Sequence, residues 1–165
     1  MHKQNVLRAE DHAMPELKSE YLMTITVSVD ALYDIGDIPL GTRHIDILGE
    51  GHFEGPRLKG TVLAGGMDQK IFRSDGAMHP NVRLILKTDD DALIHVHYTG
   101  IRYGTPEVMA RIAAGETVEP NEYYLRNTPV FETASAKYDW LNRIVAVGVG
   151  RRLPDSAAYD VFEIK

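Results

Sequence analysis

From Tyr21 onward the chain alternates apolar and polar residues. Tyr21, Met23, Ile25, Val27 and Val29 fall on one face, and Leu22, Thr24, Thr26, Ser28 and Asp30 on the other. A period of two with many β-branched residues predicts a strand. Similar segments recur at short intervals. Residues 43–48 lie between Gly41 and Gly49, and residues 58–63 between Gly55-Pro56 and Gly65-Gly66. Residues 69–74 and 81–87 flank a turn that begins at Asp75-Gly76. Asp89-Asp90-Asp91 turns the chain into residues 92–103, and four more β segments cover 123–126, 130–133, 142–151 and 158–164. Roughly nine or ten short strands with turn residues between them predict a mainly β protein, a single antiparallel β-barrel.

One helix interrupts the β pattern. Thr105 suits the N-cap, Pro106 the first helical position and Glu107 the positive end of the helix. Val108, Met109 and Ile112 form an apolar face, and Gly115 sits where a C-terminal cap belongs. Lying between two β segments, it is expected to cover a barrel mouth or one side. Residues 1–19 are polar with little periodicity and read as an irregular arm, leaving residues 20–165 as one domain.

Composition narrows the function classes. The 165 residues suffice for one real core, and no Pro/Gly/Ser-rich linker divides them. A formal charge of −6 argues against nucleic acid or an anionic membrane as partner, because both require clustered Lys and Arg. There is no cysteine, so disulfides, thiolate catalysis and Cys-based zinc sites are excluded. No apolar run approaches the roughly 18 residues of a membrane span. No signal-peptide core follows Met1, and a cytoplasmic location is expected.

Against that background a set of polar residues stands out in the β segments: Asp68, Arg73, Asp75, Asn81, Arg83, His95, His97, Arg126, Glu132 and Asn142. Burying an unpaired ionised group is costly. If these residues turn inward together, they build a polar ligand cavity. Asn81 and Arg83 share a strand face near Asp75; the three either bind a carboxylate or enolate, with Asp75 as base, or simply build and pair a turn. His95 and His97 share one face, with Ile94, Val96 and Tyr98 on the other. They are a possible metal half-site needing Glu132, His79, His44 or His52 as further ligand, an acid–base pair, or a solvated outer face. Trp140, the one tryptophan, either stacks on a planar ligand or plugs the barrel end. Gly65-Gly66-Met67-Asp68 lacks the Lys-Ser/Thr of a phosphate loop and reads as a tight turn or bulge, with Asp68 capping it or turned inward. No serine carries a nucleophile-elbow motif.

The order Gly55-Pro56, Gly60, Gly65-Gly66-Met67-Asp68, Arg73-Ser74-Asp75-Gly76, Arg83, Thr88-Asp89-Asp90-Asp91-Ala92 and Gly100 resembles the domain of unknown function 3237 family. The resemblance continues through the segment from Tyr124 to Thr133 and through Tyr138-Asp139-Trp140-Leu141-Asn142, covering about residues 20–165. It implies a single β-barrel with polar residues near the interior and implies no particular reaction. In the family's pattern an Asp-x-Arg follows the Asp-Gly turn. Here Asn81-Val82-Arg83 stands in its place with His79 just before it, so any acid or base role of that Asp passes to His79 or is lost.

Two function classes follow, with a third behind them. The first is a cofactor-independent, metal-free enzyme (isomerase, lyase or dehydratase, or hydrolase) acting on a carbonyl or aromatic metabolite. Asp75, His97 and Glu132 would be its catalytic groups. Asp68, Arg73, Asn81, Arg83, His95, Tyr124, Arg126, Trp140 and Asn142 would bind the substrate. The second is a non-catalytic carrier or sensor of a similar small ligand. The third is an interaction protein whose polar residues decorate its surface. Val145, Val147 and Val149 form an apolar row that could pair two copies if the lumen takes the opposite face, so a homodimer is expected.

Overall fold

The structure is a computed structural model and describes residues 14–165. Its strands are β1 (Ser19–Ile38), β2 (Gly41–Glu54), β3 (Lys59–Asp68), β4 (Ile71–Phe72), β5 (Met78–His79), β6 (Asn81–Thr88) and β7 (Leu93–Tyr103). Helix α1 (Pro106–Ala113) leads to β8 (Tyr124–Glu132). A 3-10 turn (Asp139–Arg143) precedes β9 (Val145–Arg152) and β10 (Ser156–Ile164). Most of the expected N-terminal arm, residues 1–13, lies outside the described residues. Residues 14–18 have no regular structure, and Ser19 already belongs to β1.

Every strand of the ring pairs antiparallel with its neighbours in the order β1, β2, β3, β6, β7, β8, β9, β10, and β10 returns to β1. The result is an antiparallel, barrel-like ring of eight strands. Closure removes the free sheet edges that an open sheet must protect. The short strands β4 and β5 pair with each other, and they also pair with β2 and β7 respectively. They extend the hairpin whose tip is the Asp75-Gly76 turn.

Alternation decides what fills the ring. Val82, Leu84 and Leu86 on β6 and Ile94, Val96 and Tyr98 on β7 are buried. They face Met23, Ile25 and Val27 of β1 and Val161 of β10 within one core cluster. An interior of this strand number is just wide enough for side chains to fill. Each fully buried Leu or Ile contributes about 1.5–3 kcal/mol.

The strand limits differ from the sequence reading where a bulge or a proline intervenes. The register with β10 shifts between Tyr21 and Met23, so Leu22 and Met23 are both buried while Tyr21 turns outward. The two segments expected at 123–126 and 130–133 are one strand, β8, which runs from Tyr124 to Glu132 through Pro129 and leaves Tyr123 and Thr133 just outside it. β8 pairs with β9 only at Arg126/Val149 and Asn127/Gly148. Pro129, which has no N–H to give, lies beyond the last of these pairs. Asn142 belongs to the 3-10 turn and not to β9. Helix α1 forms as predicted: Thr105 Oγ1 accepts from Val108 N at 3.4 Å, Pro106 sits in the first turn, and Ile112 is buried with Val108 and Met109 packed against the core.

Candidate functional site

The barrel has two unlike ends. Where β1 begins and β8 ends, Leu22, Phe53, Leu86, Ile94 and Phe131 meet Tyr138 and Leu141 from the 3-10 segment, and the end is plugged by apolar packing. At the opposite end the inward positions carry polar groups. Asp46 comes from β2, Asp68 from the end of β3 and Lys70 from the residues just after it. Tyr98 and Arg102 come from β7, Arg152 from β9 and Tyr159 from β10. Together with Val27, Leu48, Val82 and Leu125 they line an interior cavity of about 30 Å³. That volume exceeds what a single water needs and admits a small polar head group.

The chemistry of this end follows from its burial. Asp68 is buried, and desolvation pushes its carboxyl up to about 6; the Asn81 N–H and Lys70 oppose this but do not cancel it. Asn81 N donates to Asp68 Oδ1 at 3.0 Å. Tyr98 and Tyr159 lie with ring centres 5.2 Å apart, and burial raises both hydroxyls, that of Tyr159 to about 12. Both therefore stay protonated donors at neutral pH. Lys70 Nζ donates to Asp46 Oδ2, while Asp46 Oδ1 is buried with no hydrogen-bond partner. Deeper on β8, Asn127 is buried with its Oδ1 unpartnered. It lies over Gly148, where a Cβ would come within 2.0 Å of that oxygen.

The residues singled out from the sequence divide into groups, and only Asp68 faces the interior cavity. Arg83, His95, His97 and Glu132 lie on the outer face, because the apolar residues between them take the lumen. The expectation that they turn inward is corrected by that phase: a one-residue offset reverses a whole strand. They nevertheless come together outside. His95 Nδ1 lies 2.7 Å from Glu132 Oε2, and Asn81 Oδ1 accepts from Arg83 Nη1 at 3.2 Å and lies 3.1 Å from His97 Nε2. Desolvation, then Arg83 and His95, hold His97 below its ordinary value. Arg83 and His95 also line an outer groove of about 390 Å³ beside Gly65-Gly66. There Ala64, Gly65 and Gly66 oppose Leu84 alone, a bulge that Gly65 permits at φ +98°.

The remaining candidates are spread over the surface. Arg73 and Asp75 pair at the exposed hairpin tip, and Arg73 Nη1 lies 3.0 Å from His79 Nε2. The Ala77 N–H, with Arg73 assisting, holds the Asp75 carboxyl below its usual range. Tyr124 is exposed, and the Arg126 guanidinium lies 4.9 Å from its ring centre. Trp140 packs against the core under the Arg57 guanidinium, 3.8 Å from its ring centre. Asn142 donates to Thr133 O and accepts from Thr133 N, at 2.9 and 2.8 Å. Among the described residues no group of three or more His, Asp or Glu side chains is arranged to hold a metal ion.

Sequence reasoning missed Asp46, Lys70, Tyr98, Arg102, Asn127, Arg152 and Tyr159. One signal was available: Ile94, Val96 and Tyr98 form the more apolar face of β7, and Arg102 continues its phase. Lys70 and Arg152, near strand ends, carry no such pattern.

The family model described as "Protein of unknown function (DUF3237)" matches residues 17–164. A UPF0311 protein of Clostridium acetobutylicum is 35% identical over 150 residues, which are 90% of this chain and 95% of that protein. The crystal structure of a conserved protein of unknown function from Rhodopseudomonas palustris superposes with a TM-score of 0.89 at 32% identity, covering 92% of this chain and 100% of that one. A "beta-barrel like protein" from Acinetobacter baumannii superposes with a TM-score of 0.81 at 38% identity, covering 93% and 99% of the two chains.

Proposed function

The chain belongs to the DUF3237 family, and from that premise we propose that it binds a small molecule at the polar end of the barrel lumen. There it acts as a cofactor-independent acid–base enzyme on a carbonyl or aromatic metabolite. The observation that carries this reading is Asp68, a buried carboxyl with a pKa raised to about 6 beside two protonated tyrosines. An acid–base group works best when its pKa lies near the operating pH. At neutral pH Asp68 is mostly ionised and accepts a proton from carbon or oxygen next to a carbonyl. Tyr98 and Tyr159 then donate hydrogen bonds to the oxygen on which charge develops. The protonated Asp68 returns its proton to complete an isomerisation or an elimination.

A second reading, a non-catalytic carrier or sensor, is favoured by the small free volume of about 30 Å³, which admits only the head of a ligand. Proton NMR in D2O separates the two. Acetylacetone and cyclohexenone are incubated with the wild-type protein and with Asp68→Asn. Exchange of α-protons faster than in buffer, lost in the variant while its fold persists, supports the enzyme. Equal exchange with and without protein contradicts it and leaves the carrier.

A further inference from the structure

Lys70 and Asp46 neutralise each other at the polar end of the lumen, which leaves two cations to be accounted for. Arg102 and Arg152 both line the cavity, and among the described residues neither side chain forms an ion pair or a hydrogen bond. The Arg152 backbone N–H donates to Tyr123 Oη, which fixes the strand end and leaves the guanidinium free. Arg102 Nε is buried without a partner, and the guanidinium stands 6.0 Å from the centre of the Phe72 ring. The carboxylate in the same cavity, Asp68, makes no ion pair with either arginine, and its oxygen is engaged by the Asn81 N–H. Leaving a buried guanidinium N–H such as Arg102 Nε without an acceptor is costly, and half-buried Arg152 brings a second guanidinium to the same cavity. Two of them converging on one cavity form a ready fork for an anion.

We propose that Arg102 and Arg152 are the anion-binding residues of the lumen, and that the ligand enters with a carboxylate group seated between them. This rests on the polar end being the ligand site. Charge and size select the anion. The site offers two guanidiniums against one carboxylate, so a single negative charge balances it when Asp68 is ionised. The free volume of about 30 Å³ suits a planar carboxylate head with the rest of the molecule toward the mouth, and is small for a phosphoryl group. The seated carboxylate fixes the ligand's orientation, so the carbon next to its carbonyl is presented to Asp68 and the tyrosines. The lumen's substrate class is thereby narrowed to small keto or aromatic acids.

Isothermal titration calorimetry of the full chain with sodium benzoate, and with neutral benzamide at the same ionic strength, tests the assignment. Benzoate is expected to bind at least about tenfold more tightly than benzamide. Arg102→Met and Arg152→Met are each expected to weaken benzoate about tenfold or more, a loss of about 1.4 kcal/mol or more. Arg102→Lys and Arg152→Lys keep the charge and serve if a methionine variant fails to fold; each is expected to retain part of the affinity. Asp68→Asn is expected to bind benzoate at least as well as wild type. Equal binding of benzoate and benzamide, no binding of benzoate, or benzoate affinity within about twofold of wild type in the arginine variants overturns the proposal. Proton exchange into acetylacetone, which has no carboxylate, is read separately. Its loss with benzoate binding intact removes the acid–base reading alone, and its persistence without benzoate binding removes this proposal alone.

Discussion

Tyr98 and Tyr159 face each other inside the barrel from β7 and β10, strands on different parts of the ring, with ring centres 5.2 Å apart. Small residues make room for this side of the lumen: Gly100 on β7, Gly148 and Gly150 on β9 and Ala157 on β10. At Gly150 a Cβ would come within 2.8 Å of the Tyr159 ring. The pair marks the level at which the core changes from apolar packing to polar groups, with Asp68 beside it.

Asp68 ties that change to pH. Its folded pKa, raised to about 6, exceeds its unfolded value, so its stabilising contribution is present below about pH 4 and is lost as the pH rises through about 6. Asp68→Asn removes the titration and keeps an acceptor for the Asn81 N–H. Relative to wild type, the variant should gain about 2–3 kcal/mol between pH 4 and pH 7.5. Urea denaturation of both proteins at the two pH values measures the difference; a constant difference would contradict the raised pKa.

Asp90 carries the opposite sign at the other end. Lys137 first, then the Thr88 and Tyr138 hydroxyls, hold its carboxyl well below the usual range. Its contribution is present above the unfolded carboxylate pKa and fades as the pH falls through the folded one. Asp90→Asn should therefore lower the melting temperature at pH 7, with the deficit shrinking below about pH 4. Melting curves of the two proteins from pH 3 to pH 7 check this.

Asn142 serves the backbone of Thr133 through both atoms of its amide. Asn142→Ala should cost about 1–2 kcal/mol, two modest hydrogen bonds. It should leave any ligand affinity at the polar end unchanged, since the 3-10 turn lies at the opposite end of the barrel. Chemical denaturation together with benzoate titration separates this structural role from the ligand role expected of it in the sequence.

The outward row on β9 bears on assembly. Val145 is exposed, Val147 and Val149 are half-buried on the same face, and exposed Tyr124 and Val130 lie on β8 with Ile101 on β7 beyond it. Light scattering is expected to give a homodimer of twice the 18.5 kDa chain, and a Val145→Glu/Val147→Glu variant a monomer. A wild-type monomer would remove the homodimer.

The barrel was legible because turn residues and period-two segments punctuate almost the whole chain. The phase of each strand was harder to read. On β7 the sequence offers His95 and His97 on one face and Ile94, Val96 and Tyr98 on the other, and chemistry draws attention to the histidines. Ring closure rewards burial of the apolar face and leaves the imidazoles outside. Asp68 was legible because a bulge-forming Gly-Gly pair precedes it. Lys70 and Arg152 sit near strand ends, where alternation is weakest, and only the ring's closure brings them together.

On the proposed reading ligands enter the polar end of the lumen and not the outer strip of Arg83, His95, His97 and Glu132. The direct measurement is thermal denaturation of wild type, Tyr159→Phe, Arg102→Met, His97→Ala and Arg83→Met with benzoate, 4-hydroxybenzoate and cyclohexenone. At about 100 times its dissociation constant a ligand adds about 2.7 kcal/mol, a clear rise in melting temperature. The expected result is a rise for at least one carboxylate in wild type, retained in His97→Ala and Arg83→Met and reduced in Tyr159→Phe and Arg102→Met. A rise lost in the outer-strip variants and kept in the lumen variants would contradict it.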